Sequence, residues 1–165
     1  MHEIHFEEMK DEYIDDALDI YNHYIINTNV TFHTHSLSKE QMYELVFFNS
    51  HKYMAYVILS DGTICGYVIL GPYKKREAYA GTAEVTIYLK PEYSGKGIGS
   101  KALKFIEDFA KSHDIHVLIA VICGENAKSI NLFAKNGYCQ CAHFREVGRK
   151  FNKWLDVVAY QKILL

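Results

Sequence analysis

The sequence predicts one α/β (α+β) domain over residues 1–165, in which a mixed central sheet of about seven strands is flanked by about four helices. Three observations support this prediction. A chain of 165 residues has the length of one domain. Runs rich in β-branched residues alternate with segments whose apolar residues recur every three or four positions. A glycine-rich turn leads directly into a helix that precedes a further strand, which forms a strand, turn, helix and strand unit.

The N-terminal part of the chain predicts a short strand and two helices. Residues 2–6 form the strand, and the first helix carries apolar residues at helical spacing, namely Ile14, Ala17, Leu18, Tyr21 and Ile25. Residues 27–35 are polar and β-branched, which is typical of a loop. Ser38 and Gln41 have the spacing of a capping box that opens the second helix. The expected buried stripe of that helix is Met42, Leu45 and Val46.

The middle of the chain predicts three neighbouring antiparallel strands. Residues 54–59 and 64–70 flank an Asp61-Gly62 turn, which is a hairpin signal, and residues 82–89 form the third strand. Beyond the glycine-rich turn, one face of a helix is apolar and carries Ala102, Leu103, Ile106, Phe109 and Ala110. A strand over residues 116–122 follows that helix.

The C-terminal part predicts a short helix and a final pair of strands. Asn126 is the expected N-cap of the helix, Gly137 its left-handed stop, and Ile130, Phe133 and Ala134 its apolar residues. Residues 138–146 and 151–161 are the expected strands, and they flank a turn at Gly148.

Composition and charge exclude several classes of protein. Hydrophobic residues make up 49% of the chain and charged residues 23%, as in globular proteins. The 18 basic and 20 acidic residues give a net charge of -2, which argues against a nucleic-acid binder. No apolar run has the length of a membrane span, and the first ten residues are acidic where a signal peptide needs a basic head. We therefore expect a cytoplasmic protein that binds neither membrane nor nucleic acid.

The cysteines and histidines predict neither disulfides nor a metal site. Four cysteines are too few and too scattered for a disulfide framework, and Cys139 and Cys141 lack the spacing of a zinc pair. We expect all four to be reduced, buried, small hydrophobic residues. The nine histidines are dispersed along the chain.

The glycine-rich turn is the strongest functional signal. Gly95, Gly97 and Gly99 alternate just before a helix, where uncovered N–H groups and the helix dipole attract an anion such as a phosphate. Lys96 lies within the turn. The spacing does not match a P-loop, and it is one residue too short for a dinucleotide-binding fingerprint, so both alternatives are weakened.

The turn and its surroundings resemble the GNAT superfamily of N-acetyltransferases, whose pyrophosphate motif is Arg/Gln-x-x-Gly-x-Gly/Ala. Gly97 and Gly99 match that motif, whereas Ser94 departs from its first position. Residues 125–138 resemble the capped helix of the family and its closing Gly-aromatic pair. Within the family, residues 30–32, 71–79, 82–88 and 147–158 are similar to the phosphinothricin acetyltransferase group.

The resemblance implies an acetyl-CoA-dependent N-acetyltransferase that acts on the amine of a small amino acid or analogue such as phosphinothricin or methionine sulfoximine. Glu84 is the implied general base, although an outward-facing residue of an alternating strand would show the same pattern. The residues that the resemblance assigns to acetyl-CoA are Ile87, Tyr88, Leu89, Ser94, Gly95, Lys96, Gly97, Ile98, Gly99, Ser100, Asn126 and Ser129. No metal is implied.

The resemblance also implies an acceptor site and a homodimer. The implied acceptor residues are Phe32, Tyr73, Lys74, Lys75, Arg76, Tyr79, Lys150 and Trp154. A solvated charge cluster would equally explain Lys74 and Lys75, and plain packing would explain Phe32, Lys150 and Trp154. Phe133 stands where the family often has a tyrosine that protonates the leaving thiolate, so the general acid is open. The alternatives are a GNAT enzyme for a polyamine, antibiotic or peptide, or a non-catalytic acyl-CoA sensor.

Overall fold

A computed structural model describes residues 3–165, which form one sheet of seven strands and four α-helices. The strands are β1 (Ile4–Glu8), β2 (Met54–Ser60), β3 (Thr63–Pro72), β4 (Thr82–Leu89), β5 (Val117–Cys123), β6 (Cys139–Lys150) and β7 (Lys153–Ile163). The helices are α1 (Ile14–Asn27), α2 (Lys39–Val46), α3 (Ile98–Ser112) and α4 (Ala127–Lys135). The predicted fold class is confirmed.

The sheet is mixed, with the order β1-β2-β3-β4-β5-β7-β6. Every neighbouring pair is antiparallel except β4 and β5, which run parallel and are joined through α3. This is the strand, glycine-rich turn, helix and strand unit that the sequence predicts. The glycine-rich turn therefore lies between the two central strands of the sheet.

The two central strands separate after a short paired region. Thr82 to Glu84 of β4 pair with Val117 to Ile119 of β5, and the ladder stops there. Over the rest of β4, residues 85–89 keep β3 on one side and, among residues 3–165, have no strand on the other. The separation leaves backbone N–H and C=O groups of a central strand free to bind a ligand.

The helices cover both faces of the sheet. Successive side chains of a strand point to opposite faces, and neighbours such as Tyr67 and Val68 belong to different apolar clusters. Tyr67 packs with α1 and α2 in one cluster, which includes Ile14 and Met42. Val68 packs with α3 and α4 in the other, which includes Leu103. None of the described helices is long and apolar enough to cross a membrane.

Two predicted helix caps and one predicted hairpin turn, each formed by residues close together in the chain, are confirmed. Ser38 and Gln41 form the complete capping box at α2, because each side chain binds the backbone of the other residue. Asn126 caps α4 by accepting a hydrogen bond of 3.2 Å from the Ser129 amide. Asp61 and Gly62 both have positive φ, at 49° and 79°, as a tight hairpin turn requires.

The sequence predicts the wrong position for the turn of the last hairpin. The turn lies at Phe151 and Asn152, which have positive φ of 49° and 60°. Gly148 instead lies inside β6, opposite Leu155 of β7. A Cβ atom on Gly148 would lie 2.6 Å from the Phe32 ring, so a distant contact accounts for this glycine.

Three smaller predictions are corrected. The first strand is Ile4–Glu8 rather than residues 2–6, and His2 lies outside the described residues. Leu45 is 37% exposed and does not belong to the buried stripe of α2. Cys65 and Cys123 are buried as predicted, whereas Cys139 and Cys141 are exposed because β6 is an edge strand of the sheet. All four cysteines are free.

Candidate active site

A cavity of about 440 Å³ opens where β4 and β5 separate. Its floor is one face of the sheet, and its rim is the loop between α1 and α2 together with α2 itself. The floor follows from strand register, because alternate residues of β4 share a face with their partners on β3. The facing pairs that line the cavity are Glu84 with Gly71, Thr86 with Ile69, and Tyr88 with Tyr67.

Among the described residues, Glu84 supplies the carboxylate on this floor. Burial raises the pKa of its carboxyl, because a charged carboxylate loses hydration there. No hydrogen-bond or ion-pair partner for this carboxylate occurs among residues 3–165. Since Gly71 lies opposite, no side chain on β3 fills the space beside Glu84. The carboxylate is therefore open to the cavity and is suited to accept a proton.

Four tyrosines cluster at one end of the floor. The Tyr88 ring lies 5.1 Å from Tyr21, 5.3 Å from Tyr24 and 5.6 Å from Tyr67, measured between ring centroids. Burial raises the pKa of all four hydroxyls, so they stay protonated at neutral pH. The Tyr24 hydroxyl donates to the backbone oxygen of Leu89 and so braces the free end of β4.

Tyr21 lines the cavity although the sequence analysis placed it only on the apolar face of a helix. Its hydroxyl lies 2.7 Å from Thr31 Oγ1 and 2.5 Å from His33 Nδ1. A buried tyrosine needs a hydrogen-bond partner for its hydroxyl. A tyrosine on the apolar face of a helix therefore indicates that a polar group lies nearby, and here the loop between α1 and α2 supplies it.

The glycine-rich turn has the geometry of an anion site. Gly95 and Gly97 have positive φ of 76° and 79°, and nothing within 4 Å would contact a Cβ atom on either residue. Gly97 is the N-cap of α3, which has neither a side-chain cap nor an acidic residue in its first turn. The first N–H groups of α3 therefore lack the side-chain acceptor that α2 and α4 have.

Several residues assigned to the coenzyme have structural partners as well. Ser100 Oγ accepts a hydrogen bond of 3.0 Å from the Asn136 amide, which joins α3 to α4. The Asn126 side chain caps α4 by accepting a hydrogen bond from the Ser129 backbone N–H. Lys96 Nζ lies 5.3 Å from the centroid of the Tyr93 ring. Tyr88 lines the cavity, and the remaining assigned residues lie along the free edge of β4, in the turn that follows it and in the first turn of α3.

The residues assigned to the acceptor do not all meet at the cavity. Phe32 lines it. Lys74 Nζ lies over the Tyr73 and Tyr79 rings, at 5.3 and 5.5 Å from their centroids, and these residues with Lys75 and Arg76 lie outside the lining. Two further assigned residues also lie outside it: Lys150 is buried and bonds to the main chain, and Trp154 is 56% exposed.

The lining is acidic, although the resemblance assigns lysine and arginine residues to the acceptor site. Within the described chain, the lining contains the carboxylates of Glu44 and Glu84 and neither lysine nor arginine. Phe133 is 3% exposed and packs edge-on against Tyr138, with 5.0 Å between ring centroids. Phe133 therefore brings no proton donor to the cavity.

Comparison with known proteins decides the family. Residues 10–138 match the model of the acetyltransferase (GNAT) family, which covers most of the chain. The chain belongs to the GNAT family. Its relatives carry the names of N-acetyltransferases, and the chain is accordingly an N-acetyltransferase.

Two curated relatives and one solved structure place the chain within the GNAT family. The phosphinothricin N-acetyltransferase of Streptomyces coelicolor is 32% identical over 150 residues, which cover 88% of each chain. The L-methionine sulfoximine/L-methionine sulfone acetyltransferase of Salmonella typhimurium is 30% identical over 87% of this chain and 84% of its own. The phosphinothricin acetyltransferase of Sinorhizobium meliloti, solved with acetyl-CoA, has a TM-score of 0.90 at 26% identity, over 98% of this chain and 88% of its own.

Proposed function

We propose that this GNAT enzyme transfers the acetyl group of acetyl-CoA to the amine of a small amino acid or analogue, of the phosphinothricin or methionine sulfoximine type. Glu84 is the general base. The observation that carries the proposal is the position of Glu84, a partly buried carboxylate without a partner, at the point where β4 and β5 separate. The named activities of the two curated relatives support the acceptor class.

Acetyl-CoA fits the features around the cavity. The uncapped start of α3 and the positive φ of Gly95 and Gly97 suit a diphosphate, and Lys96 adds a positive charge. The free edge of β4 at Ile87, Tyr88 and Leu89 suits the amide groups of a pantetheine arm, which pair as an added strand does. A main-chain N–H on this edge would also stabilise the negative charge that develops on the acetyl oxygen.

The reaction follows from the groups in the cavity. An acceptor amine is protonated at neutral pH and loses one proton to solvent before its lone pair attacks the thioester. As the nitrogen forms its bond to the carbonyl carbon and the carbon–sulfur bond breaks, the nitrogen loses a second proton, which Glu84 takes directly or through water. Phe133 has no proton to give. The proton that neutralises the departing thiolate therefore comes from water or from a cavity hydroxyl such as that of Tyr21 or Tyr88.

The lining also supports a second acceptor class. Two carboxylates and several aromatic rings, without lysine or arginine, favour a cationic acceptor such as a diamine. An amino acid would need cations from outside this lining for its own carboxylate. Lys74, Lys75 and Arg76 follow the cavity residue Pro72 closely in the chain and are candidates for these cations.

The deciding experiment follows thiol release from acetyl-CoA with a panel of amines that contains phosphinothricin, methionine sulfoximine, a diamine and a peptide. We expect turnover with the amino-acid analogues. Glu84→Gln should reduce kcat about 10²–10⁴-fold and leave acetyl-CoA affinity unchanged. Glu44→Gln is the matched control, because it removes an exposed carboxylate from the rim of the same cavity.

Other outcomes would change the proposal. Preference for the diamine would support the cationic acceptor class, and binding of acetyl-CoA without turnover of any amine would support an acyl-CoA sensor. An equal loss in Glu84→Gln and Glu44→Gln would contradict the assignment of Glu84 as the base.

We also propose that the enzyme is a homodimer. Residues 144–154 of the β6–β7 hairpin expose four large apolar side chains, at 51–63% of their surface, and such residues favour an interface. They are Phe144, Val147, Phe151 and Trp154. Sedimentation velocity is the test.

The cytoplasmic location stays a prediction that cell fractionation would check.

A further inference from the structure

Phe32 lies at the rim of the cavity between two residues that share one anchor. Thr31 and His33 flank it in the chain, and both side chains lie within hydrogen-bond distance of the Tyr21 hydroxyl, at 2.7 and 2.5 Å. Tyr21 is 7% exposed and belongs to α1, so the anchor is part of the packed fold. Because both neighbours are held, the backbone of Phe32 has little freedom to move.

A second anchor reaches the same loop from the far end of the chain. Lys150 Nζ donates a hydrogen bond of 2.8 Å to the main-chain oxygen of Thr31. Lys150 is 4% exposed, and burial lowers the pKa of its amine. Burial of a lysine has a cost that a specific hydrogen bond partly offsets. The bond joins the end of β6 to the loop that carries Phe32.

The third contact is between the Phe32 ring and Gly148, which leaves room for the ring because it has no side chain. A Cβ atom on Gly148 would lie 2.6 Å from Cε2 and 3.0 Å from Cδ2 of Phe32. Gly148 is not among the glycines with positive φ, so its backbone conformation does not require glycine. The ring of Phe32 therefore lies directly against the backbone of β6. A methyl group at position 148 would push the ring off β6.

We propose that Tyr21, Lys150 and Gly148 are positioning residues that hold Phe32 as a fixed wall of the acceptor cavity and so limit the size of the amine that the enzyme accepts. The inference rests on the proposed function, in that the acceptor occupies this cavity. It also changes the role of Lys150. The family resemblance assigned this residue to the substrate, whereas its hydrogen bond joins it to the main chain of the loop.

The first test measures the contact between Gly148 and Phe32 without any substrate. In a double-mutant cycle, Gly148→Ala should change the unfolding equilibrium constant at least about fivefold in the wild-type background and much less in the Phe32→Ala background. Gly81→Ala is the control, since its Cβ atom would meet only His116 at 4.0 Å. Additive effects of Gly148→Ala and Phe32→Ala would overturn the proposal, whichever amine the enzyme uses.

The second test measures selectivity with a series of amines of increasing size. Lys150→Met and Tyr21→Phe release the wall and should each lower the KM ratio of a large to a small acceptor about tenfold or more, as Phe32→Ala should, and leave the KM of acetyl-CoA unchanged. Gly148→Ala pushes the ring off β6 and should shift the ratio in the opposite direction. An equal change for large and small acceptors would overturn the proposal.

Histidine variants separate anchoring from general loop damage. His33→Ala removes one partner of the Tyr21 hydroxyl, whereas His33→Asn keeps an acceptor and should restore most of the selectivity. His35→Ala is the control, because His35 is exposed and its ring is hydrogen-bonded to the side chain of the neighbouring Thr34. If the wild type acetylates no amine, the proposed function fails, yet the stability cycle still decides whether Phe32 is held by Gly148.

Discussion

Gly71 lies directly opposite Glu84 in the β3–β4 ladder. On the other side of Glu84, its parallel partner in β5 is the apolar Ile119. Within residues 3–165, neither a cation nor a hydrogen-bond donor pairs with the carboxylate, and the cavity reaches it across the glycine. Burial without compensation is the cause of its raised pKa.

The first prediction concerns the pH dependence of stability. The pKa of Glu84 is raised in the folded protein above its ordinary value of 4.5, so the folded state holds this proton more tightly than the unfolded state. The contribution of Glu84 to the free energy of unfolding is thus lost as the pH rises from 4.5 through the raised pKa of the folded state. Glu84→Gln should gain stability relative to the wild type as the pH increases, and denaturant unfolding at several pH values measures this difference.

Glu44→Gln removes the same formal charge from the rim of the cavity, and its pH profile corrects for the change in net charge. A stability difference between the wild type and Glu84→Gln that does not change with pH would contradict the burial argument.

The second prediction concerns the glycine-rich turn. Gly97→Asp places a negative charge at the start of α3, where we expect the diphosphate, and should weaken acetyl-CoA binding about tenfold or more in titration calorimetry. Gly62→Asp is the matched control, because Gly62 has the same φ of +79° and the same open space but lies in the β2–β3 turn. Each variant bears a backbone cost of about 1–2 kcal/mol.

Gly97→Asn separates charge from size, since asparagine has nearly the same shape without the charge. Unchanged affinity in Gly97→Asp, or equal losses in Gly97→Asp and Gly62→Asp, would mean that the diphosphate binds elsewhere.

The third prediction concerns a buried ion pair between α3 and β7. Lys162 Nζ lies 2.9 Å from Glu107 Oε2, and the Glu107 side chain is only 8% exposed. Lys162→Met leaves that carboxylate buried without its partner and should lower the free energy of unfolding by about 3 kcal/mol. The double variant Glu107→Met with Lys162→Met should cost less than Lys162→Met alone. Urea titration measures both, and a double variant that is less stable than the single one would refute the reasoning.

The fourth prediction separates the two roles of Asn126. Asn126→Ala removes the cap of α4 and should cost about 1 kcal/mol of stability, as should Ser38→Ala at α2. A loss of acetyl-CoA affinity in Asn126→Ala that is absent from Ser38→Ala would support its assignment to the coenzyme. If both variants keep the wild-type affinity, Asn126 acts only as a helix cap.

Much of the fold could be predicted because its signals are local. The Asp61-Gly62 turn needs only its own two residues, and the Ser38 capping box needs four. The strand over residues 82–89 has the bounds that the sequence predicts, since Pro91 and the glycines limit it on the C-terminal side. Glu84 is proposed as the base through resemblance to a family, because the periodicity of a strand does not distinguish a catalytic carboxylate from one that faces water.

Other features depend on contacts between distant residues. Gly148 looks like a turn, yet its reason is a ring 116 positions earlier in the chain, and the real turn uses Phe151 and Asn152, which carry no strong turn signal. Lys150 looks like a substrate-binding cation because no local pattern reveals that its amine reaches Thr31. The position of the cationic segment relative to the cavity likewise depends on the whole sheet.

The early end of the β4–β5 ladder also determines how the protein should respond to isotopic labelling. Amide protons of residues 82–84 lie in a strand with neighbours on both sides, whereas the next five residues have one side open. Deuterium should therefore enter the two halves of one strand at different rates, and a molecule lying along the open half should slow its uptake. Hydrogen–deuterium exchange along β4 would report occupancy at single-residue resolution even for an acceptor that is never turned over.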